Sequence, residues 1–222
     1  MKKVHCIVLL LLSVCYIGKA QTSQVFKKKG YTLTVVNQGA GFNPGLRDKL
    51  ISTFWVVYPK LAKEYNPQTS KNVTFIIDTA YQGVAATTDD KVTFSAKYMS
   101  AHPQDIDVVT HEVMHIVQAY GNTSGPGWLT EGIADYARYK FGVNNEDAKW
   151  SLPPYKSTQS YENSYRITAR FLAWMESKVK PGVVKELDSQ MRKGSFTDDT
   201  WKTLTAKTLN DLWAAYSANP AL

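Results

Sequence analysis

The N-terminal part of the chain alternates apolar and polar residues in short runs. The segments 31–37 (YTLTVVN) and 72–78 (NVTFIID) are rich in β-branched residues, and 91–99 (KVTFSAKYM) alternates apolar with polar positions. These patterns predict three strands, the last with one face buried. Between the first two, apolar residues recur at helical spacing over 46–61, which predicts an amphipathic helix that ends before Pro67.

The C-terminal part of the chain has helical periodicity instead. Helices are predicted at 105–120, 128–141, 164–179, 181–192 and 208–218. Strands followed by helices indicate an α+β domain, with a small N-terminal sheet packed on a mainly helical C-terminal part. We expect this domain to cover 30–222, because the polar segment 21–29 (QTSQVFKKK) is predicted to be a flexible, solvated tail.

The segment 1–20 differs from the rest and has the features of an export signal. Lys2 and Lys3 precede an apolar run (IVLLLLSV), and small residues stand before a cleavage site at Gln21. The run is too short for a permanent membrane helix, and no second one follows, so no membrane span is expected. A signal peptide over 1–20 predicts a secreted or periplasmic protein. The alternative is lipid attachment at Cys15, which the bulk of the preceding valine disfavours.

Removing this signal changes the composition of the chain. Cys6 and Cys15 both lie within it, so the mature chain has no cysteine and cannot form a disulfide in an oxidising compartment. Lys2, Lys3 and Lys19 also leave, which lowers the formal net charge of +7 by three, to +4. That mild excess does not argue for a nucleic-acid partner, so none is predicted.

The motif HEVMH, residues 111–115, lies within the helix predicted at 105–120. His111 and His115 stand one turn apart on the same helix face, so their imidazoles can converge on one metal ion. Imidazole nitrogen suits zinc, and a catalytic zinc takes three protein ligands with water in the fourth position. Glu131 is the predicted third ligand, because a glycine-rich turn can fold the next helix back across the first.

Two further carboxylates have predicted roles near this site. Asp135 follows Glu131 by one helical turn, where it would accept the free ring N–H of a ligand histidine and fix its tautomer. Glu112 lies beside the first histidine but points elsewhere around the helix. It is therefore free to act as a general base on a metal-activated water.

The residues alone allow other interpretations. If the HExxH pattern were accidental, the two histidines would be partly buried and hydrogen-bonded, without a metal. Asp135 would be the third ligand in place of Glu131 if the two exchanged roles. Asp135 would otherwise be a surface residue paired with Arg138 or Lys140.

The segments HEVMHIVQAYG, PGWLTEGIADYARYKFG and YRITARFLAWME resemble successive motifs of the basic secretory protein family, exported proteins of plants and bacteria classed as zinc-dependent peptidases. The resemblance covers about residues 30–215, and EGIADY and TARFL are more specific than HExxH. It implies a zincin-like fold, with a short mixed sheet, an active-site helix beneath it and a mainly helical lower half. Position by position, it implies zinc ligands at His111, His115 and Glu131, with Glu112 as the catalytic glutamate.

These residues together predict hydrolysis of peptide bonds by a metal-activated water. Zinc would lower the pKa of its water to about 7, and Glu112 would take the water's proton and later give it to the departing amine. Tyr165 is the candidate donor to the oxyanion, with Tyr161 as the alternative, unless both tyrosines only pack between helices. The strand 91–99 would be the exposed edge that pairs with an extended substrate.

The predicted function is that of an exported, monomeric zinc endopeptidase that acts on proteins or peptides. A non-catalytic module that binds cell-surface glycans or glycoproteins is the rival, motivated by thirteen tyrosines and six tryptophans in a basic domain. Glu112 argues against this rival, because a pure binding protein needs no general base. Binding of polyanions through the lysines is a second rival.

Overall fold

The computed structural model describes residues 21–39, 41–121 and 125–222. The predicted signal peptide at 1–20 and the alternative lipid attachment at Cys15 therefore lie outside the described residues. Within the described ranges, no helix combines the length and the apolar character that crossing a bilayer requires.

The strands of the described residues form one mixed sheet. They are β1 (Thr22–Lys28), β2 (Tyr31–Asn37), β3 (Asn72–Asp78), β4 (Ala85–Thr88) and β5 (Lys91–Ser95). Their order across the sheet is β1-β2-β3-β5-β4. The three central strands are parallel, whereas β1 and β4 at the two ends pair antiparallel with their neighbours. The strands predicted at 31–37 and 72–78 are confirmed.

Helices make up most of the remaining described chain. They are α1 (Pro44–Glu64), α2 (Ala96–Ala101), α3 (Val108–Gln118), α4 (Gly127–Phe141), α5 (Tyr165–Lys178), α6 (Val183–Arg192), α7 (Asp199–Thr205) and α8 (Leu209–Ala218), with a 3-10 helix at Tyr161–Asn163 before α5. Every helix that the periodicity predicts is present. The predicted fold class, a small N-terminal mixed sheet with a helical C-terminal part, is confirmed.

The N-terminal strand β1 replaces the flexible tail predicted at 21–29, so that prediction is wrong. Every residue of β1 pairs with β2, from Thr22 opposite Asn37 to Lys28 opposite Tyr31. All but one of its side chains are exposed, so β1 has no buried face and its sequence carries no hydrophobic signal. Main-chain hydrogen bonds to β2 hold the strand, and these depend little on which side chains are present.

The strand predicted at 91–99 ends at Ser95, and α2 replaces its second half. Ser95 caps this helix, since its hydroxyl accepts a hydrogen bond from the main-chain N–H of Tyr98. Apolar residues keep alternating past the cap, so periodicity alone does not reveal the change. The predicted edge is also wrong: β5 lies between β3 and β4, and β4, which no apolar pattern marks, forms the edge.

The helix α1 begins at a capped N-terminus and covers the inner face of the sheet. Asn43 accepts a hydrogen bond from the main-chain N–H of Leu46, and Pro44 fits the first turn because its missing N–H needs no partner there. The apolar side chains predicted to face the core are buried. Among them, Phe54 meets Phe75 of β3 edge to face, with ring centroids 5.5 Å apart.

The helix α3 is almost entirely buried between α1, α4 and the edge strand β4. Its apolar face, including Val109, Val113 and Val117, belongs to the core. Ala119 adopts a left-handed conformation with φ of +45°, and this residue ends the helix. The core therefore holds the HEVMH motif on a well-packed helix.

Aromatic side chains attach the C-terminal helices to α4. Trp201 of α7 is fully buried and stacks on Trp128 of α4, with ring centroids 6.2 Å apart. α7 was not predicted, because Thr200 and Trp201 are its only buried residues and they form no helical stripe. Helices after α4 thus pack against and stabilise α4, the helix that follows the HEVMH motif.

Candidate metal centre

His111 and His115 direct their side chains to the same point in front of α3. Their Nε2 atoms are 3.2 Å apart, and the two rings meet at 83° with centroids separated by 4.9 Å. One helical turn between them produces this convergence, because residues four apart lie above each other on one face. Both rings are mostly buried, with side-chain exposures of 12% and 18%.

Glu131 reaches the two histidines from the first turns of α4. Its Oε2 atom lies 3.2 Å from Nε2 of His111 and 3.6 Å from Nε2 of His115. The chain reverses between the helices with help from Gly121, whose φ is +58°. Part of this turn, 122–124, lies outside the described residues.

The three facing atoms form a triangle that suits a zinc ion. Zinc bonds to nitrogen and oxygen are about 2.0–2.2 Å long, so tetrahedral ligand atoms lie about 3.3–3.6 Å apart. The separations of 3.2, 3.2 and 3.6 Å among His111, His115 and Glu131 match that spacing. In the described part of the chain, these residues are the group of histidine and acidic side chains arranged closely enough to share an ion.

The electrostatics of the cluster favour a cation. Burial acts to lower the pKa of His111, but hydrogen bonds to Asp135 and Glu131 outweigh it and raise this pKa to about 10. Burial acts to raise the pKa of Glu131, yet hydrogen bonds to His111 and His115 outweigh it and hold this pKa well below its ordinary value. Positive charge is therefore stabilised here.

Asp135 contacts the back of the first histidine. Its Oδ1 atom lies 2.7 Å from Nδ1 of His111, the ring nitrogen that points away from the cluster. The aspartate is buried, with 5% of its surface exposed. It does not form the surface ion pair with Arg138 that the sequence allows, because that arginine pairs with Asp105.

Gln118 contacts the back of the second histidine, a relationship that the sequence reasoning missed. Its side-chain oxygen lies 2.7 Å from Nδ1 of His115, and its side-chain nitrogen donates to the main-chain oxygen of Thr130 at 2.9 Å. The glutamine is almost fully buried. Its position one turn after His115 is the signal that would have identified it.

Glu112 faces the edge strand rather than the three-atom cluster. Its Oε2 atom lies 2.7 Å from the hydroxyl of Thr87 in β4, and the same hydroxyl lies 2.9 Å from the main-chain oxygen of Glu112. Glu112 is buried but still lines the cleft beside the cluster. Nothing in the sequence around Thr87 marked this contact.

The two candidate tyrosines have different surroundings. Tyr165, at the start of α5, is half exposed and lines the cleft, with its ring 6.2 Å from that of His111 and nearly parallel to it. The negative charge of Glu131, followed by partial burial, raises its pKa, so its hydroxyl keeps its proton at neutral pH. Tyr161 does not line the cleft: its hydroxyl donates to Asn210 and its ring packs on Trp128.

Gly132 permits a close approach between α4 and α5. A Cβ atom at this position would lie 2.7 Å from Cβ of Thr168 in α5, rather than against α3. Thr168 in turn donates its hydroxyl hydrogen to the main-chain oxygen of Tyr161 at 2.6 Å. The glycine thus brings α5, and with it Tyr165, close to α4.

A cleft of about 1370 Å³ contains the cluster and extends well beyond it. Residues of the edge strand β4 line one part, and Tyr98, Trp150 and Arg166 line another. Small-molecule sites typically measure about 300–1000 Å³, so this cleft has room for a larger, extended ligand.

Two solved structures resemble the fold of this chain. A zinc metallopeptidase of the M1 class from Deinococcus radiodurans, crystallised as a variant, has 15% sequence identity and a TM-score of 0.53, over 91% of this chain and 53% of that one. An aminopeptidase N family protein from Idiomarina loihiensis has 13% identity and a TM-score of 0.55, over 89% of this chain and 46% of that one. This chain therefore spans about half the length of these structures, and at such low identity the likeness concerns the fold, which is zincin-like.

Comparison with curated proteins finds no match. A family model does match, and it covers residues 32–216, from β2 through α3 and α4 to within the last turn of α8. The match agrees with the resemblance of the HEVMH, EGIADY and TARFL segments. On this ground the chain belongs to the BSP family, the peptidases of plants and bacteria.

Proposed function

We propose that this protein is an exported, zinc-dependent endopeptidase. The triangle formed by His111, His115 and Glu131 carries the proposal, because its spacing fits a tetrahedral zinc ion with one coordination position left for water. Membership of a peptidase family supplies the class of reaction. Export rests on the sequence of 1–20, and the catalytic domain is proposed to include β1 and so to cover 21–222 rather than 30–222.

His111, His115 and Glu131 are the proposed zinc ligands. Two nitrogens and one carboxylate oxygen are a donor set that zinc accepts in catalytic sites. Asp135 lies on the far side of the first ring, at Nδ1, so its contact supports a role in orienting His111 rather than in binding the ion. When bound, zinc supplies a Lewis acid that polarises a peptide carbonyl and makes a water acidic at neutral pH.

Glu112 is the proposed general base. It lines the same cleft as the ligands but is not one of them, so its carboxylate can accept the proton of the attacking water. It would then return this proton to the nitrogen of the departing amine. Both transfers need one carboxylate close to the reacting carbonyl. Glu112, the second residue of HEVMH, would lie there.

Tyr165 is the proposed donor to the oxyanion that forms during attack. Its hydroxyl keeps its proton beside Glu131, and its ring lies alongside that of His111. Ser164 and Tyr165 both have positive φ angles, +66° and +48°, which residues with side chains rarely adopt. Such strain at a cleft residue is common where a side chain must be aimed at a substrate.

The edge strand β4 is the proposed binding surface for an extended substrate. Main-chain groups on an open edge can pair with a peptide irrespective of its sequence. The cleft beside β4 is larger than a small-molecule site, which favours a polypeptide over a single amino acid or dipeptide. A substrate that extends past the cluster in both directions would be cut internally.

An internally quenched peptide with an acetylated N-terminus and an amidated C-terminus tests this function. We expect the purified protein to cleave it, and Glu112→Gln to retain zinc while losing at least about 99% of the turnover. A Glu112→Gln variant as active as the wild type would rule out the mechanism. Cleavage only of peptides with free termini would rule out an endopeptidase, and zinc binding with saturable glycan binding but no cleavage would favour the binding module.

A further inference from the structure

The general base and the substrate edge are joined by one side chain. Thr87 belongs to β4, whereas Glu112 belongs to α3, and the threonine hydroxyl lies within hydrogen-bond distance of both a carboxylate oxygen and the main-chain oxygen of Glu112. A glutamate has three rotatable side-chain bonds, so a fixed partner restricts where its carboxylate points. This contact is therefore suited to holding Glu112 in one orientation.

The main chain of Thr87 faces the open side of the sheet. In the antiparallel pair of β4 and β5, the N–H of Ser95 donates to the oxygen of Val84, and bonded residues alternate along such a pair. By this alternation Ala86 and Thr93 form a hydrogen-bonded pair, whereas Thr87 and Val92 form a pair without main-chain hydrogen bonds between them. The N–H and C=O of Thr87 consequently point to the edge, away from β5.

The side chain of Thr87 thus points to one face of the sheet, and its main-chain groups point to the open edge. The side chain points inward to α3, as the contact with Glu112 requires, while the main-chain groups are directed to where an extended substrate would pair. A peptide bound at the edge would hold the Thr87 main chain in place. The orientation of the Glu112 carboxylate would then depend on the same residue that aligns the substrate.

We propose that Thr87 is a positioning residue that aligns the general base Glu112 with a substrate bound along β4. This inference rests on the proposed peptidase function. It assigns the hydroxyl of Thr87 to the catalytic step and its main chain to binding. Removing the hydroxyl should therefore lower kcat while leaving KM and zinc binding almost unchanged.

Three substitutions of Thr87 separate the hydroxyl from the bulk of the side chain. Thr87→Val keeps the shape and the β-branch, Thr87→Ser keeps the hydroxyl, and Thr87→Ala differs from Thr87→Ser by that one oxygen. Thr74→Val is the matched control, because Thr74 alternates with buried Val73 and Phe75 of β3 and so lies on the opposite face of the sheet. Each purified protein is assayed for zinc content, thermal midpoint, and kcat and KM on the blocked, internally quenched peptide.

We expect Thr87→Val and Thr87→Ala to lower kcat about tenfold or more and to change KM by less than about threefold. A tenfold loss is a part of the roughly 10²–10⁴-fold that general-base catalysis typically provides. Thr87→Ser should stay within about threefold of the wild-type kcat, and Thr74→Val should match the wild type. Unchanged kcat in both hydroxyl-free variants would overturn the proposal. Loss of zinc in both would also overturn it, since the hydroxyl would then support the metal site. An inactive wild type would instead reject the peptidase function itself.

Discussion

The Nδ1 atom of His115 lies 2.7 Å from the side-chain oxygen of Gln118. Because the glutamine oxygen can only accept, this contact places the hydrogen of the imidazole on Nδ1 and leaves Nε2 free to bind a metal ion. Asp135 makes the same contact with His111. Each proposed histidine ligand therefore has its own acceptor, a charged one from α4 and a neutral one from the end of α3.

Gln118→Ala is expected to weaken zinc binding about 10- to 100-fold, because His115 would lose the partner that fixes its tautomer and ring orientation. Competition with a zinc chelator of known affinity measures the change. Gln68→Ala is the control, since Gln68 is an exposed glutamine outside the cleft. An unchanged zinc affinity in Gln118→Ala would show that ring orientation is fixed by other contacts.

Glu131→Ala is expected to lower zinc occupancy far more than Asp135→Ala. The first change removes an oxygen that lies 3.2 Å from the Nε2 atom of His111, whereas the second removes a contact to the opposite ring nitrogen. Losing a ligand should cost more than the roughly 10- to 100-fold typical of an orienting partner. Metal analysis after dialysis at one zinc concentration compares the two variants, and equal occupancy would contradict the assignment of Glu131 as ligand.

Much of the fold follows from apolar periodicity, because α1, α3, α4 and α5 each bury one face against the core. The HEVMH motif likewise predicts the convergence of two imidazoles from helix geometry alone. Elements held mainly by the main chain escape this reasoning. β1 buries no side chain and β4 has only four small or polar residues (AATT), so neither has an apolar pattern.

Contacts between distant segments also escape it. The contact of Gln118 with His115 is local, since the two residues are one helical turn apart, and helical spacing could have indicated it. Thr87 is 25 residues from Glu112, and their contact exists only because the sheet places β4 beside α3. The close approach at Gly132 likewise depends on a distant partner, because Thr168 lies on α5, far along the chain.

Gly132→Ala is expected to destabilise the protein by about 1–3 kcal/mol, because the added methyl group would meet the side chain of Thr168 where α4 and α5 are in contact. Urea unfolding measures the loss. Gly127→Ala is the matched control in the same helix, since a Cβ there would meet no atom within 4 Å. Equal stability of the two variants would mean that the helices can separate without penalty.

Asp188 is a buried carboxylate away from the proposed metal site. Its Oδ1 atom accepts a hydrogen bond from the Tyr120 hydroxyl at 3.0 Å, and its Oδ2 atom lies 2.7 Å from the guanidinium of Arg192. Burial raises the pKa of Asp188 to about 6, against the opposing effects of Arg192 and Tyr120. The folded protein therefore binds this proton more tightly than the unfolded chain, in which the ordinary value is 3.8.

Asp188→Asn is expected to change how the free energy of unfolding depends on pH. Because the folded pKa is raised, protonation of Asp188 stabilises the wild type, and this contribution is lost as pH rises from about 4 through about 6. Relative to Asp188→Asn, the wild type should lose up to about 3 kcal/mol between pH 4 and pH 7, since each pKa unit corresponds to about 1.4 kcal/mol. Urea unfolding with a chelator present measures the free energy of unfolding of both proteins without zinc. Asp48→Asn is the control, because Asp48 is exposed, and its pH profile should follow that of the wild type. Parallel pH profiles for the wild type and Asp188→Asn would show that Asp188 stays ionised in the folded protein over this range, held so by Arg192.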